Sequence, residues 1–301
     1  MKKFRIDYND FVEIDGERAF RIIMIDEYRI PAIIFNDAAE VREDENGEKF
    51  IIGGHIAHLD NLSQEGNSWV YDGAVVLGSK SRICEDACIH SGVIIIDSEV
   101  SGDTAIHGIG KIVESSIGGE ALIENSEVEA CKINGSPSIC NADVIGSVIS
   151  DTATIDESGE RTKISGSTIV DDVFVEGGAV IDCSEVRGTA YIPKNVSLYH
   201  CIVDDCVIPE SSHIGSTGEI IQENNVMHLG NFFGLYSVTF YRTNDNRIAM
   251  NIIHCPDAPD EEFMGDDVME YFGHRFGECE EVLKSVKTIV KEITNQILSE
   301  V

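Results

Sequence analysis

Positive charge is scarce in this chain: 22 lysines and arginines stand against 54 aspartates and glutamates in 301 residues, a formal net charge of −32. Such a surface repels phosphate backbones and anionic headgroups, so direct binding to nucleic acid or to a membrane is not expected. Long apolar runs are missing as well. No stretch reaches the roughly 18 apolar residues of a spanning helix. The opening MKKFRIDYNDF has a basic start but neither the apolar core nor the small-residue cleavage site of a secretion signal, so a cytoplasmic protein is expected. Cysteine occurs nine times, an odd number, and no two cysteines have CxxC spacing; the nearest pairs are Cys84/Cys88 and Cys201/Cys206. Reduced, mostly buried thiols fit this better than a disulfide framework, and no metal site is expected. No glycine-rich phosphate loop follows a strand and opens a helix, so the usual nucleotide motifs are absent.

What is present is a repeat. Ile83, Val100, Ile117, Ile133, Ile149, Ile169, Val186 and Ile202 form one series, with members about 16 to 20 residues apart. Ile89, Ile106, Ile123, Ile139, Ile155, Val175 and Ile192 form a second, and Ile95, Ile112, Val128, Val144, Ile164, Ile181 and Leu198 a third. An amphipathic helix would place apolar residues three and four apart, and a half-buried strand two apart. Steps of about six, six and five instead predict a solenoid of short strands, three sides per coil, each side turning one large aliphatic inward. Four positions after many of these aliphatics comes a smaller residue that should also point inward: Ala74, Ala87, Val93, Thr104, Ala121, Ala153, Val173, Ala179, Ala190, Val196 and Ser212. Three positions after the third series lie Ser98, Ser115, Cys131, Ser147, Ser167, Ser184 and Cys201, all small, as a tight corner requires. At the sheet spacing of roughly 4.8 Å, about eight or nine coils would make a prism about 40 Å long. The stretch ATIDESGERTKI is longer than its counterparts and predicts a loop protruding near 157–162.

The unit [aliphatic]-x-x-x-[small]-x resembles the hexapeptide repeat of left-handed parallel β-helices. That resemblance implies a mainly β fold: a left-handed parallel β-helix built as a triangular prism over 67–215, a small β cap over 1–66, and an α+β cap over 216–301. The left hand rests on the resemblance, because sheet physics favours right-handed crossovers. The flanks are similar to something narrower. GGHIAHLDNLSQEGNSWVYDGA, residues 53–74, resembles the lead-in to the β-helix of the YdcK-like hexapeptide-repeat proteins of bacteria and prophages, whose usual form is GGW(I/V)…LSQ-x-G-x-(A/C)-W-(V/I)-Y. His55 stands in place of that tryptophan, and Ser68 in place of the small residue before Trp69. YSVTFYRTNDNRIAMNIIHCPDAPDEEF, residues 236–263, resembles the closing segment of the prophage members, where a TFYR-type strand pairs with a second strand and leads into helices. Of that family's Cys-Gly-Cys-Phe stretch only Cys255 is kept. The family is labelled transferase by fold, with no established activity to carry over. The resemblance implies a phage- or prophage-associated homotrimer in a bacterial or phage-infected cytoplasm.

Solenoid ends expose apolar rungs and unpaired strand edges, so they need caps. VEIDGERAFRIIMI predicts a hairpin about Asp15-Gly16, and AAEVREDENGEKFIIGGHI another about Asn46-Gly47. LYSVTFYRTNDNRIAMNII predicts a third, turning at 244–246. DEEFMGDDVMEYFGHRF and ECEEVLKSVKTIVKEITNQIL predict helices. In the second, Val282, Val286, Ile289, Ile293 and Ile297 make an apolar stripe suited first to core packing and second to a subunit contact.

Among nine histidines, His90 and His107 stand out. Each directly follows an inward aliphatic, Ile89 or Ile106, so the two should stack on adjacent coils of the outer face. A surface ladder is the plain reading; an acid–base or ligand-binding pair is the second, and a shared metal ion the third. Hexapeptide acyltransferases, which the repeat resembles, place a catalytic histidine between subunits to deprotonate the acceptor. Gamma-class carbonic anhydrases build a three-histidine zinc site on the same fold, but their H-x4-H spacing is missing near either residue. Lys80, Arg82, Lys111 and Arg187 are the basic residues expected to meet a phosphate-bearing ligand. Three functions stay open. The first is a non-catalytic binding protein without cofactor, engaging a basic host protein through its acidic surface and inhibiting a defence system. The second is an acyltransferase using His90 or His107 as base and a CoA thioester as donor. The third is a small-ligand sponge, for a nucleotide, at subunit interfaces.

Overall fold

Short β-branched stretches interrupted every five or six residues do not build long strands; they build rungs. The computed structural model describes residues 2–25, 40–43, 47, 49–90, 92–156, 160–215, 218–234, 237–253, 261–277 and 279–298. Asn46 of a predicted turn, 157–159 of the predicted loop, and Cys255 lie outside the described residues. The chain divides into two units, Met1–Glu157 and Ser158–Val301. It is mainly β, a parallel β-solenoid of about nine turns counted over both units, with two C-terminal helices.

In the first unit, three parallel sheets carry the turns. One contains Val75–Leu77, Val93–Ile96, Gly110–Val113, Glu127–Glu129 and Ala142–Ile145. A second contains Arg82–Ile83, Glu99–Val100, Ser116–Ile117, Lys132–Ile133 and Val148–Ile149. The third contains Trp69–Val70, Cys88–Ile89, Ala105–His107, Leu122–Glu124, Ser138–Cys140 and Thr154–Ile155. The register stacks Ile89, Ile106, Ile123, Ile139 and Ile155 one above the next. Ile83 to Ile149, and Ile95 to Val144, do the same on the other two sheets. All are buried, as are the smaller residues Ala74, Ala87, Val93, Thr104, Ala121 and Ala153.

The corner after each third-series aliphatic asks for more than small size. Ser115 Oγ donates to the carbonyl of Val113 (2.7 Å) and accepts from the amide of Cys131 on the next coil (3.1 Å). Ser98 does the same with the Ile96 carbonyl (2.8 Å) and the Ser115 amide (3.0 Å), and Cys131 Sγ accepts from the Ser147 amide (3.5 Å). The preceding residues Asp97, Glu114 and Ala130 sit at φ 47, 48 and 53, a left-handed turn that aims the next amide across the coil gap. Ser115→Ala should therefore orphan a buried amide and cost about 1–3 kcal/mol, whereas Ser115→Cys, the residue the chain itself uses at 131, should cost less. Urea midpoints of the two variants check this; equal losses would mean that the side chain only fills space.

An antiparallel hairpin, Phe4–Ile14 with Glu17–Met24, opens the unit and turns at Asp15-Gly16, both at positive φ (53 and 83), as a tight hairpin turn requires. Lys49–Ile56 pairs with Glu40–Glu43 and with that hairpin, then joins the first solenoid rung through His55 and Ile56 against Val75 and Val76. Lys3 is fully buried, its ammonium donating to the Ser68 carbonyl (2.8 Å) and Oγ (3.2 Å). His55 is buried too, its Nε2 3.3 Å from Asp10.

In the second unit, Ile164, Ile181, Leu198 and Ile214 stack on one sheet and Val175 and Ile192 on another. The remaining sheet stacks Ile169, Val186, Val203 and Ile220. The inward rung is thus Val203, fully buried, and Ile202, expected there from the sequence, is half-exposed. The coil keeps the step from Leu198 that it uses from Ile181 to Val186, and that step lands one residue later.

A four-stranded antiparallel sheet follows: Val226–Gly230, Ser237–Arg242, Ile248–Ile253 and Glu261–Met264. Its last strand corrects the expectation of a helix through DEEFM. Pairing with Ala249–Ile252 satisfies an open edge, and Gly265 at φ 56 separates this strand from helix α1, Asp266–Phe276. Helix α2, Glu280–Ile297, buries Val286, Val290, Ile293 and Ile297 against Val238, Phe240, Met250 and Phe272, so its stripe serves the core. Among the described residues no helix is long and apolar enough to cross a membrane.

Candidate functional site

Because Trp69–Val70, Cys88–Ile89 and Ala105–Ile106 lie in register, the residues that follow them, Tyr71, His90 and His107, fall in one column. Their rings stack. Tyr71 and His90 are 4.4 Å apart at 12°, and His90 and His107 are 3.8 Å apart at 22°. Glu124 follows His107 in register on the next coil. The two histidines do stack on adjacent coils, as expected, but His90 is not left to solvent: only 7% of it is exposed, because its ring lies between His107 and a tyrosine the sequence reading missed. The first coil is longer than those that follow it up to Ile155, which hid the match. The signal was there in Val70, whose place as the rung above Ile89 puts the next residue over His90.

Burial decides the electrostatics. It holds His90 well below the ordinary imidazole value, at about 4, with neighbouring His107 adding to the effect. It lowers His107 as well, opposed by the Glu124 carboxylate. It pushes the Tyr71 hydroxyl and the Cys88 thiol up. At neutral pH His90 is therefore an uncharged ring, and its Nε2 is buried without a hydrogen-bond partner. A buried polar atom left unpaired costs about 1–3 kcal/mol and asks for an explanation. The arrangement offers a neutral imidazole nitrogen to a donor or acceptor entering beside it. It does not offer a shared metal site. An ion must lie in the plane of each ligating ring at about 2.0–2.1 Å, and two nearly parallel rings 3.8 Å apart do not point at one such place.

The basic residues have other settings. The backbone amide of Lys80 donates to Asp97 at a corner (3.3 Å). The Arg82 guanidinium donates to the carbonyls of Ser79 (3.0 Å) and Ser81 (2.7 Å). Lys111 is on the Gly110–Val113 strand, a different sheet from Arg82, in register with Glu127. Arg187, in the second unit, is held by Glu185 (2.6 Å) and Asp204 (2.9 Å). Two open grooves mark the first unit. One, of about 350 Å³, is lined by Lys111, Val113, Glu127, Glu129, Asp143 and Ile145. The other, of about 540 Å³, lies along Leu59, Leu62, Gln64, Arg82, Cys84 and Glu99. Neither includes a ring of the stack.

No protein-family model matches the chain, and no curated protein does. Among solved structures it is similar to a Bacillus cereus protein described as a "putative acetyltransferase", at 12% identity over 79% of this chain and 93% of that one, with a TM-score of 0.22. A likeness at that level carries no argument about activity.

Proposed function

We propose that the chain is a non-catalytic binding protein, a phage- or prophage-borne homotrimer that engages a basic macromolecule of its host through acidic outer walls. The supporting observation is the groove of about 350 Å³ on the first unit. Register places Lys111, Glu127 and Asp143 in one column and Val113, Glu129 and Ile145 in the next. Three carboxylates and one amine thus line the groove on consecutive coils, beside Ile145, which is 51% exposed. Like charges directly opposite on neighbouring strands oppose sheet formation. A cationic segment laid along the groove relieves that repulsion and covers the isoleucine. Inhibition of a host defence protein is the role such docking would serve.

The test is capture of a partner from bacterial lysate at low salt, followed by association kinetics with the identified protein. A Glu127→Lys, Glu129→Lys double variant should slow association by about tenfold at low ionic strength, with the difference closing as salt rises. No partner held at low salt, or one held equally by the variant, overturns the reading.

A second reading rests on the stack itself: an acyltransferase with His107, the more open ring, as base and a CoA thioester as donor. A thermal shift with CoA compounds that is lost in His107→Ala would support it; no shift in the wild type would end it.

A further inference from the structure

In the second unit the strands Thr162–Ser165, Val180–Asp182 and Ser197–Tyr199 lie side by side, and each is followed by a residue at positive φ: Gly166 (54), Cys183 (49) and His200 (51). The corner has the same form each time. The Cys183 amide donates to the Ser165 carbonyl (2.8 Å), and the His200 amide to the Asp182 carbonyl (3.0 Å). Cys183 and His200 therefore leave the corner in the same direction, one strand spacing of roughly 4.8 Å apart. Asp182 ends its strand beside them. The Cys183 sulfur, a ring nitrogen of His200 and a carboxylate oxygen of Asp182 all lie within 4.8 Å of one another. On the preceding coil the matching position is Gly166, where a Cβ would stand 3.3 Å from the sulfur, so no side chain crowds it from that side.

We propose that Asp182, Cys183 and His200 form a zinc site, with three protein ligands and a fourth position open to water. The donor set selects the metal. Hard cations such as calcium and magnesium take oxygen ligands almost throughout. A thiolate, an imidazole and a carboxylate together suit zinc, which binds them tetrahedrally and keeps an open position when only three come from the protein. The charges close: the thiol loses its proton to solvent, the carboxylate is already ionised, the imidazole binds neutral, and the divalent ion is neutralised. Ser165 Oγ donates to Asp182 Oδ1 (2.5 Å), the kind of outer partner that fixes a ligating carboxylate. Cys183 and His200 are exposed and Asp182 half-exposed, so the site is reached without opening the core.

Full-length protein free of any histidine tag, titrated with cobalt(II) as the spectroscopic stand-in for zinc, tests this. A sulfur-to-cobalt charge-transfer band should appear, be displaced by zinc, and vanish in Cys183→Ser. Affinity should fall at least tenfold in His200→Asn, which tolerates the left-handed corner, and about tenfold in Ser165→Ala. Cys279→Ser, at an exposed cysteine elsewhere, should leave the band unchanged, and far-ultraviolet circular dichroism confirms that each variant is folded. Absence of a band in the wild type, its survival in Cys183→Ser, or unchanged affinity in His200→Asn overturns the proposal.

Discussion

Shortening Ile106 to alanine should cost about 2–5 kcal/mol of folding stability, among the largest effects available to a single truncation in this chain. Ile106 is 1% exposed and sits between Ile89 and Ile123 in the stacked register. The cavity left behind cannot close easily. The rungs on either side are pinned by backbone hydrogen bonds, among them the His90 amide to the Ile106 carbonyl (2.9 Å), so the coils keep their spacing and the lost contacts stay lost. Leu122, next to Ile123 on the neighbouring rung, points the other way and is 38% exposed. Leu122→Ala should stay within about 0.5 kcal/mol of wild type. Urea denaturation of both variants measures the contrast. Similar losses would mean that neighbouring residues on a rung do not alternate between interior and solvent. In a solenoid each coil touches only its neighbours, so the Ile106 variant should also raise amide exchange in adjacent coils more than in the N-terminal hairpin.

That contrast was readable in advance because the rung chemistry repeats. Ile83, Val100, Ile117, Ile133 and Ile149 recur at nearly constant spacing, and each recurrence confirms the last. The small corner residues were also legible, although their sequence shows only size. That Ser115 carries the amide of the next coil is a fact of the turn at Glu114. Where coil length varies, counting fails. The longer first coil hid Tyr71, and one misjudged step put Ile202 in the place of Val203. The strand Glu261–Met264 was hidden for another reason. Its residues read as the start of a helix, and only pairing with the open edge of the preceding strand, Ile248–Ile253, makes them a strand. The cluster of Asp182, Cys183 and His200 escaped because the one-coil spacing was applied to a pair of histidines, His90 and His107, and not to a cysteine with a histidine. In a solenoid the relevant spacing is one coil, and a shared left-handed corner, not sequence proximity, brings a cysteine and a histidine together.

The same stacking makes His90 a reporter of pH. Its folded-state value is about 4, whereas an unfolded chain takes up that proton near 6.5. Above pH 6.5 the ring is neutral in both states and adds no pH dependence. Between 6.5 and 4 the unfolded chain binds more protons, so stability falls as pH falls; below 4 the folded ring is protonated too and the loss is complete. With allowance for solvent reaching the stack from the His107 side, that loss should come to about 2 kcal/mol. His107, also lowered by burial, acts in the same sense and is partly offset by Glu124. Tyr71 and Cys88, both pushed up by burial, stay neutral across the window. His90→Phe keeps a ring between Tyr71 and His107, removes the titration and removes the unpartnered Nε2. The variant should match or exceed wild-type stability at pH 7 and lose less between pH 7 and pH 4.5, by an amount close to the His90 contribution. Urea unfolding at both pH values reads the difference, which isolates His90 from the carboxylates that titrate in both proteins. Equal losses in the two proteins would show that His90 takes up its proton in the folded state as readily as in water, and that the stack is open to solvent.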